Sequence, residues 1–166
     1  RVIVKDATPP SSPSISEVTE QSVSVMGWAE PNSSILITSG SNILGTAITS
    51  EYGMFEVLIA PQRANTVITI IAIDAAGNKS KEIKEWVKDI TPPKSPEVYE
   101  FTDQMTTISG ETEAFADITV KVDNNILGTI QAGADGRFSL EIPSQIAGVK
   151  VSVIATDQSG HTSEET

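Results

Sequence analysis

Six carboxylates fall into two sets with one spacing: Asp6, Glu30 and Asp74, then Asp89, Glu113 and Asp157, each 83 positions from its counterpart. Asp117 and Asp135 would lie close to the second set. Calcium is a hard cation that takes about six to eight oxygens, and clustered carboxylates with loop carbonyls supply that donor type. The two sets are therefore candidate calcium ligands, and calcium is the one cofactor expected. The same residues have a competing, mechanical role. An aspartate in a tight turn accepts hydrogen bonds from backbone N–H groups shortly after it. No contiguous calcium-loop motif decides between the two.

Little else could do chemistry. There is one histidine, His161, and it stands where the first set has Asn78, so a solvated loop residue is expected rather than a catalytic one. The absence of cysteine excludes disulfides, a thiol nucleophile and cysteine-ligated zinc. A lysine–asparagine isopeptide crosslink needs both partners and an acid facing one another inside a core. Lys5 and Lys88 recur, as do Asn42 and Asn125, but they sit in strand ends and turns with no buried acid to drive condensation. No catalytic residue is identified, and an enzyme is not expected.

Composition narrows the partners. The 166 residues carry 22 acids against 11 bases, a net charge of −11. That field repels nucleic acid and anionic membrane surfaces. Aromatic residues are only 5% of the chain, and no apolar run approaches the ~20 residues of a membrane span. Arg1–Pro10 does not read as a signal peptide, so the chain is taken as a soluble fragment or mature segment of something longer.

The elements that must place these residues follow from a repeat. Asp6-x-Thr8-Pro9-Pro10-x-x-Pro13 returns as Asp89-x-Thr91-Pro92-Pro93-x-x-Pro96, and the offset of 83 continues without a gap. Across residues 6–83 and 89–166, 28 of 78 aligned positions are identical, so the chain is two copies of one module. In the first copy Val23 and Val25, Ile35 and Ile37, Phe55, Val57 and Ile59, and Ile68, Ile70 and Ala72 alternate with polar neighbours. The second copy repeats this at Ile108; Ile118 and Val120; Phe138, Leu140 and Ile142; and Val151, Val153 and Ala155. Such alternation marks half-buried strands, and no stretch supports an amphipathic helix. Roughly seven strands per module predict an all-β chain of two tandem immunoglobulin-like β-sandwiches. Domains are expected at 6–88 and 89–166, with 1–5 as the last strand of a preceding module. The proline-rich Asp89–Pro96 linker favours a stiff connection, hence a rod.

Up-and-down strands would bring the 28–33, 49–53 and 74–78 loops together at the pole where the chain enters each module. Trp28 is opposite in phase to Val23 and Val25 and should be exposed there, covering a linker or a neighbouring module. Trp86 is expected just after the last strand of the first module, sealing the junction.

The module resembles bacterial immunoglobulin-like domains of surface and secreted proteins. The residues that carry the likeness are Gly27–Thr38, Leu44–Ala47, Tyr52–Val57, Ala72–Ser80 and the D-x-T-P-P linker. The second copy departs from it at Ala114, Phe115 and His161. The resemblance implies tandem arrays in adhesins, biofilm proteins and wall-attached enzymes, at the cell surface or in the cell wall. Such modules act as spacers whose partners are neighbouring modules, and some arrays bind calcium at module junctions. The alternative is direct binding of a host receptor, a glycan or another cell. An apolar patch of Met26, Trp28 and Tyr52, absent from the second copy, would place such binding in the first module alone.

Overall fold

A computed structural model describes residues 2–166. The chain separates into two compact units after Asp89, each enclosing its own core. The first unit has seven strands: β1 (Ser14–Ile15), β2 (Ser24–Trp28), β3 (Ser34–Ser39), β4 (Asn42–Ile48), β5 (Met54–Leu58), β6 (Val67–Ile73) and β7 (Ile83–Trp86). They form two antiparallel sheets, β1-β2-β5 and β4-β3-β6-β7. The second unit follows with β8 (Glu97–Val98), β9 (Thr107–Glu111), β10 (Asp117–Val122), β11 (Asn125–Gln131), β12 (Arg137–Glu141) and β13 (Ser152–Thr156). Its sheets are β8-β9-β12 and β11-β10-β13. Both units are β-sandwiches, as the alternation implies.

The inner faces are built by period-two burial. Val25, Phe55 and Val57 from one sheet meet Ile35, Ile37, Ile68, Ile70 and Ala72 from the other. The second unit repeats this with Ile108 and Phe138 against Ile118, Val120, Val153 and Ala155. Each large aliphatic side chain removed from water contributes about 1.5–3 kcal/mol, and with no disulfide this packing holds the sheets together. The β3–β4 pairing slips by one residue between Ile37 and Thr38, and β10–β11 slips at the equivalent Val120 and Lys121. The repeat therefore extends to an irregularity of the ladder.

Three expectations change. Val23 is exposed and precedes β2, because the chain bends there before the ladder begins at Ser24. Trp86 lies within β7 rather than after it, opposite Val67, and is also exposed. Asn42, placed above among strand ends and turns, opens β4, an edge strand whose mixed burial hides the alternation. Beyond β7, Val87 is buried and Lys88 donates its N–H to the Val18 carbonyl, tying this segment to the stretch between β1 and β2. The second unit's β13 is met instead by Thr166, which exchanges backbone hydrogen bonds with Val153. Of the preceding-module remnant, Arg1 lies outside the described residues, and Val2–Lys5 are exposed and in no strand.

Glycine is required where β1 pairs with β2. A Cβ on Gly27 would lie 2.1 Å from the Ser14 carbonyl oxygen and 2.8 Å from the Phe55 ring. Gly110 repeats this against Glu97 and Phe138. Gly27→Ala should therefore destabilise the first unit by about 1–3 kcal/mol, the usual cost of overpacking. Denaturant unfolding followed at Trp28 and Trp86 would measure it; a midpoint equal to that of the parent chain would contradict the contact.

Candidate functional site at the carboxylate pole

The turn leaving β6 is organised by Asp74. Its Oδ1 accepts the N–H groups of Ala76 and Asn78, both at 2.8 Å, and its Oδ2 accepts Asn78 Nδ2 at 2.8 Å. Gly77 takes the left-handed φ of +88° that the turn needs. Asn78 Nδ2 also reaches the carbonyl oxygens of Asp6 and Thr8 at 3.4 and 3.5 Å, so the turn touches the incoming chain. Asp6 shapes that segment by accepting the Thr8 N–H at 2.9 Å.

Glu30 approaches from the β2–β3 loop, and a buried polar cluster fixes its backbone. Thr49 Oγ1 donates to the Glu30 carbonyl at 2.6 Å and Ser33 Oγ at 2.7 Å, while Thr49 Oγ1 accepts the Ser33 N–H at 2.9 Å. The Ala29 N–H bonds Gly53, which brings in the β4–β5 loop. All three loops meet at one pole, and Asp6, Glu30 and Asp74 line one open pocket with Pro31 and Asn32. Their oxygens are spread: among the described residues, no three metal-ligating side chains drawn from this unit lie within 4.8 Å of one another.

The second unit repeats the turn with Asp157. Its Oδ1 accepts the N–H groups of Ser159 and His161 at 2.8 and 2.9 Å, and its Oδ2 lies 3.2 Å from His161 Nδ1. His161 thus fills the bonding role of Asn78. Glu113 stands in the β9–β10 loop and accepts the Ala116 N–H through its backbone carbonyl. Asp135 accepts the Arg137 N–H at 3.2 Å, and Asp117 begins β10 opposite Gln131 and Thr156. Asp89 ends the first unit and is the repeat equivalent of Asp6. The crosslink candidates are apart: Lys88 pairs with Glu17, and Asn42 and Asn125 are exposed strand starts. Ser33 and Thr49 escaped the sequence reading because the second copy has Ala116 and Ala132 there.

The electrostatics follow from these bonds. The Asn78 side chain, helped by backbone N–H donors, holds the Asp74 carboxyl below its ordinary range. Burial pushes the Asp157 carboxyl up, but the N–H groups of His161 and Ser159 and the His161 ring outweigh it, so it too is lowered.

The family model described as bacterial Ig domain matches twice, over residues 9–89 and 92–166. The cell wall-associated protease of Bacillus subtilis (strain 168) is 27% identical over 152 residues, covering 91% of this chain and 17% of that protein. The chain therefore spans about a sixth of the relative's length. A crystal structure of bovine butyrophilin shares the fold, with a TM-score of 0.58 at 11% identity over 98% of this chain and 95% of that one. The BSP domain of a biofilm associated protein is similar at a TM-score of 0.43 and 20% identity, covering 93% of this chain and 28% of that one.

A carboxyl with a lowered folded-state pKa contributes stability that is present above its unfolded value, about 3.9, and lost as pH falls through the folded value. Asp74→Asn keeps an oxygen acceptor but removes the charge. The variant should melt below the parent chain at pH 7, and the gap should close as pH falls below about 4. A gap that stays constant with pH, measured by thermal melts, would show that the Asp74 charge does not hold the turn.

Proposed function

Because the chain belongs to the bacterial Ig domain family, we propose that its two units are non-catalytic spacer modules of a secreted or surface-attached bacterial protein, of the adhesin or biofilm type. The observation that carries this reading is the repetition itself. Two units reproduce one core, one ladder irregularity and one aspartate-locked turn, in which the Asp74 and Asp157 carboxylates are occupied by backbone N–H groups. A module whose specified features are all structural suits repetition along a stalk. The setting draws support from the relative named a cell wall-associated protease, of whose length a segment like this one spans about a sixth.

Calcium is the finer element of the proposal. The pocket over Asp6, Glu30 and Asp74 offers the hard oxygen donors the ion takes. Its spread donors suit the weak extracellular range of Kd, about 10⁻⁴ to 10⁻³ M. By the offset of 83, Asp89, Glu113 and Asp157 are the corresponding residues in the sequence.

Small-angle scattering with parallel thermal melts tests both parts. A spacer pair should give an extended distance distribution, and millimolar calcium should raise the Tm relative to chelator because it binds only the folded chain. A compact particle would overturn the spacer reading. Identical melts in calcium and chelator would remove calcium and leave these aspartates as turn locks.

A further inference from the structure

The outward face of the β1-β2-β5 sheet differs from its counterpart in the second unit at almost every position. β2 turns Met26 and Trp28 outward, and β5 turns out Met54, Glu56 and Leu58. Trp28 is opposite Met54, and Met26 is opposite Glu56. These four line one shallow depression of about 290 Å³, and Trp28 remains 53% exposed. The equivalent positions of the second unit hold Ser109, Glu111, Arg137, Ser139 and Glu141. There the Arg137 Nε donates to Glu111 Oε1 at 3.1 Å, and the Tyr99 hydroxyl donates to the same oxygen at 2.6 Å.

The second unit thus completes its own set of aromatic, carboxylate and cation. The first unit presents the aromatic and the carboxylate without the cation. Among the described residues Glu56 has no ion-pair partner, and no base belongs to this face. The missing member defines the ligand. An indole face attracts a cation, methionine sulfurs adapt to an alkyl stem, and Glu56 supplies the opposite charge. A purely apolar ligand would desolvate Glu56 without compensation, and an anion would meet it and the net charge of −11. Met54, Glu56 and Leu58 continue the outward stripe along five residues of β5, about 13 Å at 3.3 Å per step, a length that matches a short extended chain. We infer that this face binds an arginine or lysine side chain carried by an extended basic segment of a partner protein. The inference goes beyond the spacer reading and stands or falls separately from it.

The full chain with ¹³C-labelled methionine methyls provides the test, with Met105 in the second unit as internal control. The probes are the blocked pentapeptide Ala-Arg-Ala-Arg-Ala, its counterpart with glutamine for both arginines, and phosphocholine. The arginine peptide should shift the Met26 and Met54 methyls with millimolar saturation and leave Met105 in place. The glutamine peptide and phosphocholine should bind at least about fivefold more weakly. Glu56→Gln, an exposed and nearly isosteric change, should weaken the arginine peptide by about three- to fivefold, and Trp28→Leu should abolish the shifts. Equal binding of the arginine and glutamine peptides, or no effect of Glu56→Gln, would overturn the proposal. So would phosphocholine binding as tightly as the peptide. Concentration-dependent shifts without any peptide would assign the face to a second copy of the chain and likewise overturn it.

Discussion

Everything in each unit depends on two sheet faces closing over one dry layer of aliphatic side chains. With no cysteine in the chain, no covalent bridge spans the sheets, so the inward side chains of β2 and β5 must meet those of β3 and β6. That demand fixes register. A one-residue slip would turn Ile35, Ile37, Ile68 and Ile70 outward together and expose the core stripe. It also dictates the glycines at 27 and 110, where the backbone of the first strand and a core phenylalanine leave no room for a side chain. The loops inherit their positions from this constraint. Glu30, Gly53 and Asp74 share a pole because the strands that carry them share a core.

Much of this was legible in the sequence, for a physical reason. Burial on alternate residues writes itself into composition, so the β3, β5 and β6 cores could be read directly, and the repeat doubled each signal. The turn role of Asp74 and Asp157 was one of two roles the sequence left open, because a loop carboxylate serves a cation or a backbone N–H equally well. The bonds to the N–H groups of residues 78 and 161 emerge only from the fold. The misreadings lie where burial does not alternate cleanly. Val23 matches the phase of a strand but precedes the ladder, and β4 is an edge strand whose pattern mixes exposed and half-buried positions. Ser33 and Thr49 look like ordinary surface polar residues in sequence. Their burial and their shared acceptor, the Glu30 carbonyl, arise only when two loops meet.

The differences between the copies are as informative as the likenesses. Inner-face changes are conservative in volume: Val25 becomes Ile108, and Ile37 becomes Val120. Outer-face changes reverse chemistry, with Trp28 replaced by Glu111 and Met54 by Arg137. A core tolerates only space-filling alternatives. A solvent-facing sheet surface carries no such constraint, so its chemistry is free to serve contact with other molecules. The carboxylate pole lies between these extremes. Asp74 and Asp157 hold the same turn, yet Asn78 and His161 meet that requirement with different side chains.

The central claim is that each unit is held by its own buried layer, with the aspartate turns as locks upon it. Native-state amide hydrogen exchange tests it most directly. The amides of Ile35, Ile37 and Ile70 should exchange only through global unfolding of the first unit, and those of Ile118, Val120 and Val153 only through global unfolding of the second. The Ala76 and Asn78 amides bonded to Asp74 should show intermediate protection. Exchange of the β3 and β10 amides at rates close to those of exposed loops would contradict the account.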